Sequence, residues 1–530
     1  MRTWLNSSKT SDVCQELSAS KHVPLKKKGP GAEIAEADQP RRISMNNNSS
    51  LSRVPAKAYS QASQLFWADA SLHENQTQIS YRFAADHNGK LLHIHNAGWM
   101  VWDSTRWIPD TGPVQAALLD TLWRLRKEAA AMLAEAAASH DKAMERKAKD
   151  LLSLVKSCES ASGLAGVLKI ASGLIGMTTT MAELDTGAYL LNMPNGTLNL
   201  ETMELQQHDP ADRITKITRG SFNPANPAKS DLWNSFVERI LPAVDVRDFF
   251  QRTLGLAMIG AVIEHILVIA TGVGRNGKGV AYGAVMNAMG DYAAVADDGL
   301  FEVQRSNNPQ AASPGLAKLR GVRFLAVSEL EERARLAAAF MKRMTGGDRI
   351  TARELYGSPF EFAPAFLIMM ITNYLPKLPA NDAATWARVR VIPFDVVIPP
   401  AQRDVHLGTK LNAEADAVLT WALEGLEDYQ AAGLREPVEV MKATQNYADS
   451  QDDVRRFVDS RCTGAPANGG DTTSELSQAY QTWAAEEGIH QAHVLGRSKF
   501  GEALDKLGFP STKQARGAVR VGLGIDPNAV

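Results

Sequence analysis

Cysteine is nearly absent: Cys14, Cys158 and Cys462 are the three in 530 residues, far apart and never in a C-x-x-C spacing. This excludes a disulfide scaffold and a cysteine-rich zinc module, and it fits a reducing compartment. Long apolar runs are missing as well. Leu254 to Ala270 comes nearest, but Glu264 and His265 interrupt it, short of the about 18 apolar residues that a spanning helix requires. No apolar segment of signal type opens the chain. No membrane role is expected, and a cytoplasmic setting is. Net charge is small, −2 at pH 7, so any contact with nucleic acid must come from local basic patches rather than a whole-molecule field. With 45% hydrophobic and 22% charged residues the chain can bury real cores, and its length suits about three or four domains.

Residues 1–55 are rich in Ser, Asn and Lys, with Lys26-Lys27-Lys28 and Arg41-Arg42, and read as a disordered tail with solvated charge. Residues 56–185 read as a small α+β and helical region. In it Trp99, Trp102 and Trp107 stand among short β-like stretches and read as core, with a base-stacking platform as the rival. An alanine- and charge-rich helical stretch follows from Pro113 to about Val155. In the next segment, 186–250, Tyr189 to Leu200 reads as a hairpin turned at Asn195-Gly196. Helical patterns over 230–241 and 246–258 then lead into an apolar strand.

That strand, Ile266 to Ala270, runs directly into Gly272-Val273-Gly274-Arg275-Asn276-Gly277-Lys278-Gly279. The spacing G-x-x-x-x-G-K lets successive backbone N–H groups curl around a β-phosphate. Lys278 neutralises the β and γ oxygens, and the helix that follows points its positive end at the same anion. ATP with Mg²⁺ is the expected ligand. Phosphate loops of this kind usually place Ser or Thr after the lysine to ligate the metal, and here Gly279 stands there. Either water takes the metal position or nucleotide is bound without efficient hydrolysis.

Downstream, the apolar strand Arg323 to Ser328 ends at Glu329, placed to orient Mg²⁺ through water or to polarise the attacking water. A second apolar strand, Phe366 to Thr372, ends at Asn373, a polar residue suited to hold the γ-phosphate or the lytic water. Between the two strands, Gly346-Gly347 breaks a helix carrying Lys342 and launches a basic hairpin with Arg349 and Arg353, and Tyr356 and Phe360 near its tip, the arrangement a loop tracking single-stranded DNA needs. Arg388 and Arg390 stand at the start of a further strand; Arg388 is the preferred arginine finger, with Arg390 in reserve. Residues 401–452 read as a helical connector. From 453 to 530 three helices and a hairpin read as a winged helix, with Arg497, Lys499 and Lys506 as recognition-helix cations and Lys513, Arg516 and Arg520 on the wing for duplex DNA.

The order Gly-x-Gly-x-Asn-Gly-Lys, strand-Ser-Glu, Lys-x-x-Thr-Gly-Gly-Asp-x-Ile-x-Ala-Arg, strand-Thr-Asn-x-x-Pro, Trp-x-Arg-Val and Ile-Pro-Phe resembles superfamily 3 helicases of the phage/plasmid and poxvirus-type primase-helicase group. The likeness covers about Leu254 to Phe394 and extends upstream to the hairpin near Gly187. It implies an α/β fold with an AAA+ P-loop ATPase core over 251–400, behind a mixed α+β N-terminal region and ahead of the C-terminal winged-helix domain. It also implies a homo-hexamer translocating on single-stranded DNA in the cytoplasm of a bacterial host, with Gly272, Gly274, Asn276, Gly277, Lys278 and Gly279 in the phosphate loop and Glu329 as the Walker B acid. The pattern often has a first Arg where Ala387 stands, which moves the finger to Arg388. Relatives often carry a primase domain, but the N-terminal half has no D-x-D on an apolar strand, so priming is expected from a separate primase or from host replication proteins. The rival reading is a nucleotide-gated DNA-binding or origin-marking protein, which Gly279 keeps open.

Overall fold

The computed structural model describes residues 70–527 apart from positions 71, 298, 304–313, 329–334, 354–358, 381, 466–468, 490 and 492–493. The expected tail and its lysine run lie outside the described residues. Order begins with α1 (Asn75–His87), strands β1 (Leu91–Ile94), β2 (Gly98–Trp102) and β3 (Trp107–Pro109), helices α2 (Pro113–Ser139), α3 (Lys142–Cys158) and α4 (Ala161–Ala171), and β4 (Thr178–Thr179). The first three strands form an antiparallel meander, and β4 lies parallel to β1. Trp107 is buried and donates Nε1 to Pro210 O at 2.9 Å, Trp102 tilts against it, and Trp99 meets Phe83 edge-on. These rings pack inward. The helical stretch read as continuous from Pro113 is two helices, because His140 turns left-handed (φ 56°) and Asp141 accepts the N–H groups of Ala143 and Met144 as the cap of α3.

Next come β5 (Leu190–Met193), β6 (Gly196–Asn199) and β7 (Glu204–Gln206), an antiparallel sheet. Met193 pairs with Gly196, so the turn is Pro194-Asn195, one residue earlier than the expected Asn-Gly turn. A Cβ on Gly196 would come within 2.5 Å of Gln206 O, which is why that strand opens on glycine. Helices α5 (Asp231–Ile240) and α6 (Val244–Leu256) follow.

The central sheet is built from β8 (Leu267–Thr271), β9 (Ala293–Val295), β10 (Phe324–Ser328), β13 (Leu367–Thr372) and β14 (Val389–Pro393), all parallel, in the order β14-β8-β13-β10-β9. Between them run α7 (Lys278–Met289), α8 (Pro314–Ala317), α9 (Ala338–Gly346), the hairpin β11 (Ile350–Ala352) and β12 (Phe360–Phe362), and α10 (Ala383–Trp386). The strands are almost wholly apolar because both faces are covered. Val268, Ala270, Ala326 and Met369 face one core, Leu267, Ile269, Leu325 and Ile368 the other. Arg323, buried just ahead of β10, donates to Leu190 O at 2.6 Å and to Met258 O while lying over the Tyr292 ring, and so ties the β5–β6 hairpin to the sheet.

After the sheet come α11 (Leu407–Ala413), α12 (Ala415–Ala432) and α13 (Val438–Gln451). Leu419, Leu423 and Leu426 of α12 share a core with Phe249, Phe250 and Leu254 of α6. The two backbones meet at glycine: a Cβ on Gly255 would fall 2.2 Å from Leu426 N, and one on Gly425 2.2 Å from Gln251 O. Each buried Leu or Phe contributes about 1.5–3 kcal/mol over its exposed state. Helix α13 lies along β14, where Thr444 Oγ1 accepts Val391 N at 3.0 Å. The C-terminal unit has α14 (Asp453–Arg461), β15 (Cys462–Gly464), α15 (Thr473–Glu486), α16 (Arg497–Lys506), β16 (Ser511–Gln514), β17 (Gly517–Arg520) and β18 (Leu523–Ile525). β15 pairs with β18 and β16 with β17, over a core of Phe457, Tyr480, Trp483 and Phe500. Among the described residues no single helix is long and apolar enough to cross a membrane.

Candidate nucleotide-binding site

The site is built at the carboxyl end of β8. Thr271 pairs with Thr372 of β13, so the loop after β8 and the residue after β13 start side by side. Glycine is required where the loop is tight. A Cβ on Gly272 would lie 2.3 Å from Asn276 Nδ2 and 2.4 Å from Phe394 O. Gly277 adopts φ 83° as the residue that opens α7, and a Cβ there would strike Ile240 of α5 at 2.5 Å. Asn276, buried, donates Nδ2 to Phe394 O at 2.9 Å, and Ile398 N donates to Arg275 O at 3.0 Å, so the segment after β14 holds the loop from outside.

Lys278 occupies the first position of α7 and is 5% exposed. Its Nζ donates to Gly272 O at 2.8 Å and reaches Asn373 Oδ1 at 3.3 Å. Both are neutral oxygens. Burial alone pushes the ammonium down to about 8 from its usual 10.5. A cation desolvated against neutral oxygens at the first position of a helix fits an incoming triphosphate. Asn373 is held in place by Thr372, whose Oγ1 donates to Tyr374 O at 2.7 Å and accepts Tyr374 N at 3.1 Å.

Strand β10 ends at Ser328, paired with Ile371. Glu329, the expected Mg²⁺ residue, and its neighbours Glu331 and Glu332 lie outside the described residues. Gly279 stands in open space: a Cβ there would meet only Tyr282 Cε1, at 3.9 Å. A serine therefore fits without strain. Gly279→Ser is expected to lower the Mg²⁺ concentration for half-maximal ATP hydrolysis several-fold, because the hydroxyl supplies the metal ligand that the loop lacks. A magnesium titration checks this; an unchanged or higher requirement means the loop holds its metal in another way.

Arg388 is not near this loop within the chain. Its carbonyl accepts Leu267 N at 2.8 Å, which places it at the opposite end of β8. Its guanidinium donates Nη1 to Ala384 O at 2.7 Å. Arg390 pairs with Glu436 and donates to Ala387 O and Val389 O, so its side chain is committed locally. Lys342 is tied to Asp382 at 2.8 Å. The expected hairpin is present as β11 and β12, launched after Gly347 in the left-handed region (φ 79°), with Arg349 exposed opposite Glu361 and Arg353 exposed where the described strand ends; the tip with Tyr356 lies outside the described residues. In the C-terminal unit Lys499 and Lys513 are exposed, and Arg516 is exposed with one contact to Gly470 O. Arg520 departs from its expected place on the wing surface. It is buried, paired with Asp505 and bonded to Thr473: the register sets it on the same face as Lys513, but at the end of the hairpin away from the turn, where that face meets the helices.

The sequence reading missed Phe394 O, Ile398 N, Thr372 and the α5 residues behind Gly277. For α5 a signal existed: Trp233, Phe236, Val237 and Ile240 recur at helical spacing and are all buried, but that spacing does not say against what.

Residues 80–242 match the family model described as D5 N terminal like, a stretch that spans both the N-terminal helical region and the β5–β7 sheet. The chain is 27% identical over 316 residues to a candidate helicase of Acanthamoeba polyphaga mimivirus, covering 59% of this chain and 33% of that protein. A candidate helicase of Frog virus 3 is 28% identical, covering 52% and 29% respectively, and a candidate primase of African swine fever virus is 25% identical, covering 60% and 35%. The chain thus spans about a third of the length of the curated relatives it matches. Among solved structures, an apo form of the NrS-1 C-terminal region aligns over 58% of this chain and 85% of that one, at 11% identity and a TM-score of 0.34, too low to bear on the fold.

Proposed function

We propose that this chain, a relative of phage and viral primase-helicases whose D5 N-terminal-like domain it carries, is an ATP-driven DNA helicase. It acts in replication of a phage or other mobile element, as a hexameric ring of superfamily 3 AAA+ subunits that translocates on single-stranded DNA. The observation that carries the reading is Lys278, buried between Gly272 O and Asn373 Oδ1 at the ends of adjacent parallel strands. The sheet order supports it, since β13, which ends in the sensor position, lies between the phosphate-loop strand β8 and β10. When bound, Mg-ATP would supply the γ-phosphoryl group to be hydrolysed. The chain's own residues would bind and orient: Lys278 would exchange its neutral oxygens for phosphate oxygens, the N–H groups of 274–278 are assigned to the phosphates, and Asn373 is assigned the γ-phosphate or the lytic water. Glu329, the residue after β10, is assigned the metal through water and the attacking water.

The test is strand displacement on a forked duplex with purified protein, ATP and Mg²⁺. Unwinding that stops with a non-hydrolysable analogue supports the helicase; nucleotide-dependent DNA binding without unwinding supports instead the nucleotide-gated DNA-binding protein that Gly279 keeps open. The C-terminal unit, with three helices and the β16–β17 hairpin, is read as a winged helix for duplex DNA. Truncation after Asp452 is expected to weaken duplex binding on the order of tenfold while sparing hydrolysis stimulated by single strands, because it removes Lys499, Lys513 and Arg516 but no part of the sheet. Equal loss of both activities makes that unit structural.

A further inference from the structure

Helix α9 leads into the basic hairpin, and α10 leads into Arg388. One ion pair joins them, Lys342 Nζ to Asp382 Oδ2 at 2.8 Å. Asp382 is also the cap of α10, taking the Thr385 hydroxyl at 3.0 Å and Thr385 N at 3.2 Å. The Lys342 contact, helped by Thr385, holds the Asp382 carboxyl below its usual range, so the pair stays charged. At the far end of α10, a single turn about 6 Å long, Arg388 rests Nη1 on Ala384 O. Trp386 fixes the turn from the side: it donates Nε1 to Pro379 O at 3.1 Å and meets Tyr447 edge-on at 5.1 Å. The helix that leads into the hairpin is therefore linked to the arginine through one charge pair and one short turn.

We propose that Lys342 is a positioning residue rather than a phosphate contact: through Asp382 and α10 it passes engagement of single-stranded DNA at the hairpin to Arg388. This revises the DNA-facing role read from the motif, and it rests on the motor reading above. The two roles differ measurably. A lysine on a phosphate releases counterions, so its removal weakens binding and makes the salt dependence shallower by about one unit of slope. A strut leaves both alone.

The experiment uses the full chain with Lys342→Met, Asp382→Asn, the double variant and Lys342→Arg, with oligo-deoxythymidine as the single strand. Asparagine keeps a cap oxygen for Thr385 N, so Asp382→Asn removes the charge while preserving the start of α10. Kd, its salt slope and the increase in ATP hydrolysis caused by DNA are read together. The expected result is that Lys342→Met and Asp382→Asn keep affinity within about twofold and lose about tenfold of the DNA-dependent increase, with the double variant no worse than either alone. Lys342→Arg restores the increase. Weaker binding with a shallower salt slope in Lys342→Met, or full stimulation in either single variant, overturns the strut while leaving the motor standing. Absence of any DNA-stimulated hydrolysis in the unmodified chain overturns the motor reading itself, and the strut with it.

Discussion

Arg388→Ala is expected to reduce ATP hydrolysis by about 10³- to 10⁵-fold, roughly 4 to 7 kcal/mol at the transition state, while nucleotide binding changes little. The reason is positional. The Arg388 carbonyl receives Leu267 N at the start of β8, whereas the phosphate loop leaves β8 after Thr271. Five strand residues at about 3.3 Å each put roughly 16 Å between the two ends. The arginine stands at the far end of the strand from its own loop, so in the proposed ring it would serve the loop of a neighbouring copy, and hydrolysis would belong to the assembly. Mixing Arg388→Ala chains with Lys278→Ala chains should then recover activity, since one junction in such a ring pairs an intact loop with an intact arginine. If subunits exchange, each variant still forms rings and no activity returns, the trans assignment fails. Arg390 would be a poor substitute, being held by Glu436.

Lys278→Ala should lower hydrolysis by at least about 10² to 10³, the usual cost of removing one preorganised group that meets developing charge. It should not unfold the protein. The ammonium is a desolvated cation facing neutral oxygens, and its folded-state value is about 8 against an ordinary 10.5. For a base depressed in this way, the folded state binds fewer protons than the unfolded one between those two values. The penalty is thus full below about pH 8 and is relieved as pH rises toward 10.5. In the absence of nucleotide, the melting temperature of the unmodified protein should rise relative to Lys278→Ala across that window. Bound phosphate restores the charge, so nucleotide binding at pH 8 should take up about half a proton, read by calorimetry in buffers of different ionisation enthalpy. Unchanged turnover in Lys278→Ala removes the phosphate-loop reading; binding without proton uptake means Lys278 does not meet the phosphates.

Much of this site was written locally in the chain. Gly272 to Lys278 announces its turn because glycine and lysine act there through backbone and charge, which short spacing encodes. Asn373 was legible as the polar residue ending an apolar strand. What holds the loop was not legible, because Phe394 O and Ile398 N are backbone groups more than a hundred residues away, and a carbonyl carries no sequence mark. The same limit explains Lys342: a basic residue in a basic hairpin motif reads as a DNA contact, and only the fold brings Asp382 to it. The α2–α3 break was missed although Asp141 signals a cap, since alanine on both sides keeps helical propensity high. Arg520 was misplaced because its position at the base of the hairpin beside Asp505 and Thr473, not its charge, decides its burial.

The outer border of β14 has a consequence for how copies can meet. Its inward amides face β8, as the Phe394 N to Thr271 O bond fixes, which leaves 389, 391 and 393 pointing away. Position 393 is proline and has no N–H to offer, and the Val391 N–H is already taken by the Thr444 hydroxyl of α13. With two of its three outward positions offering no free donor and α13 lying alongside, this edge is a poor template for a further strand. On its β14 side the sheet is therefore poorly suited to grow into a neighbouring copy; β9 forms its other edge. In the proposed ring, copies meeting across this border would recognise each other through side chains, a mode that can be broken and remade as a ring changes shape, where a continuous sheet would lock it.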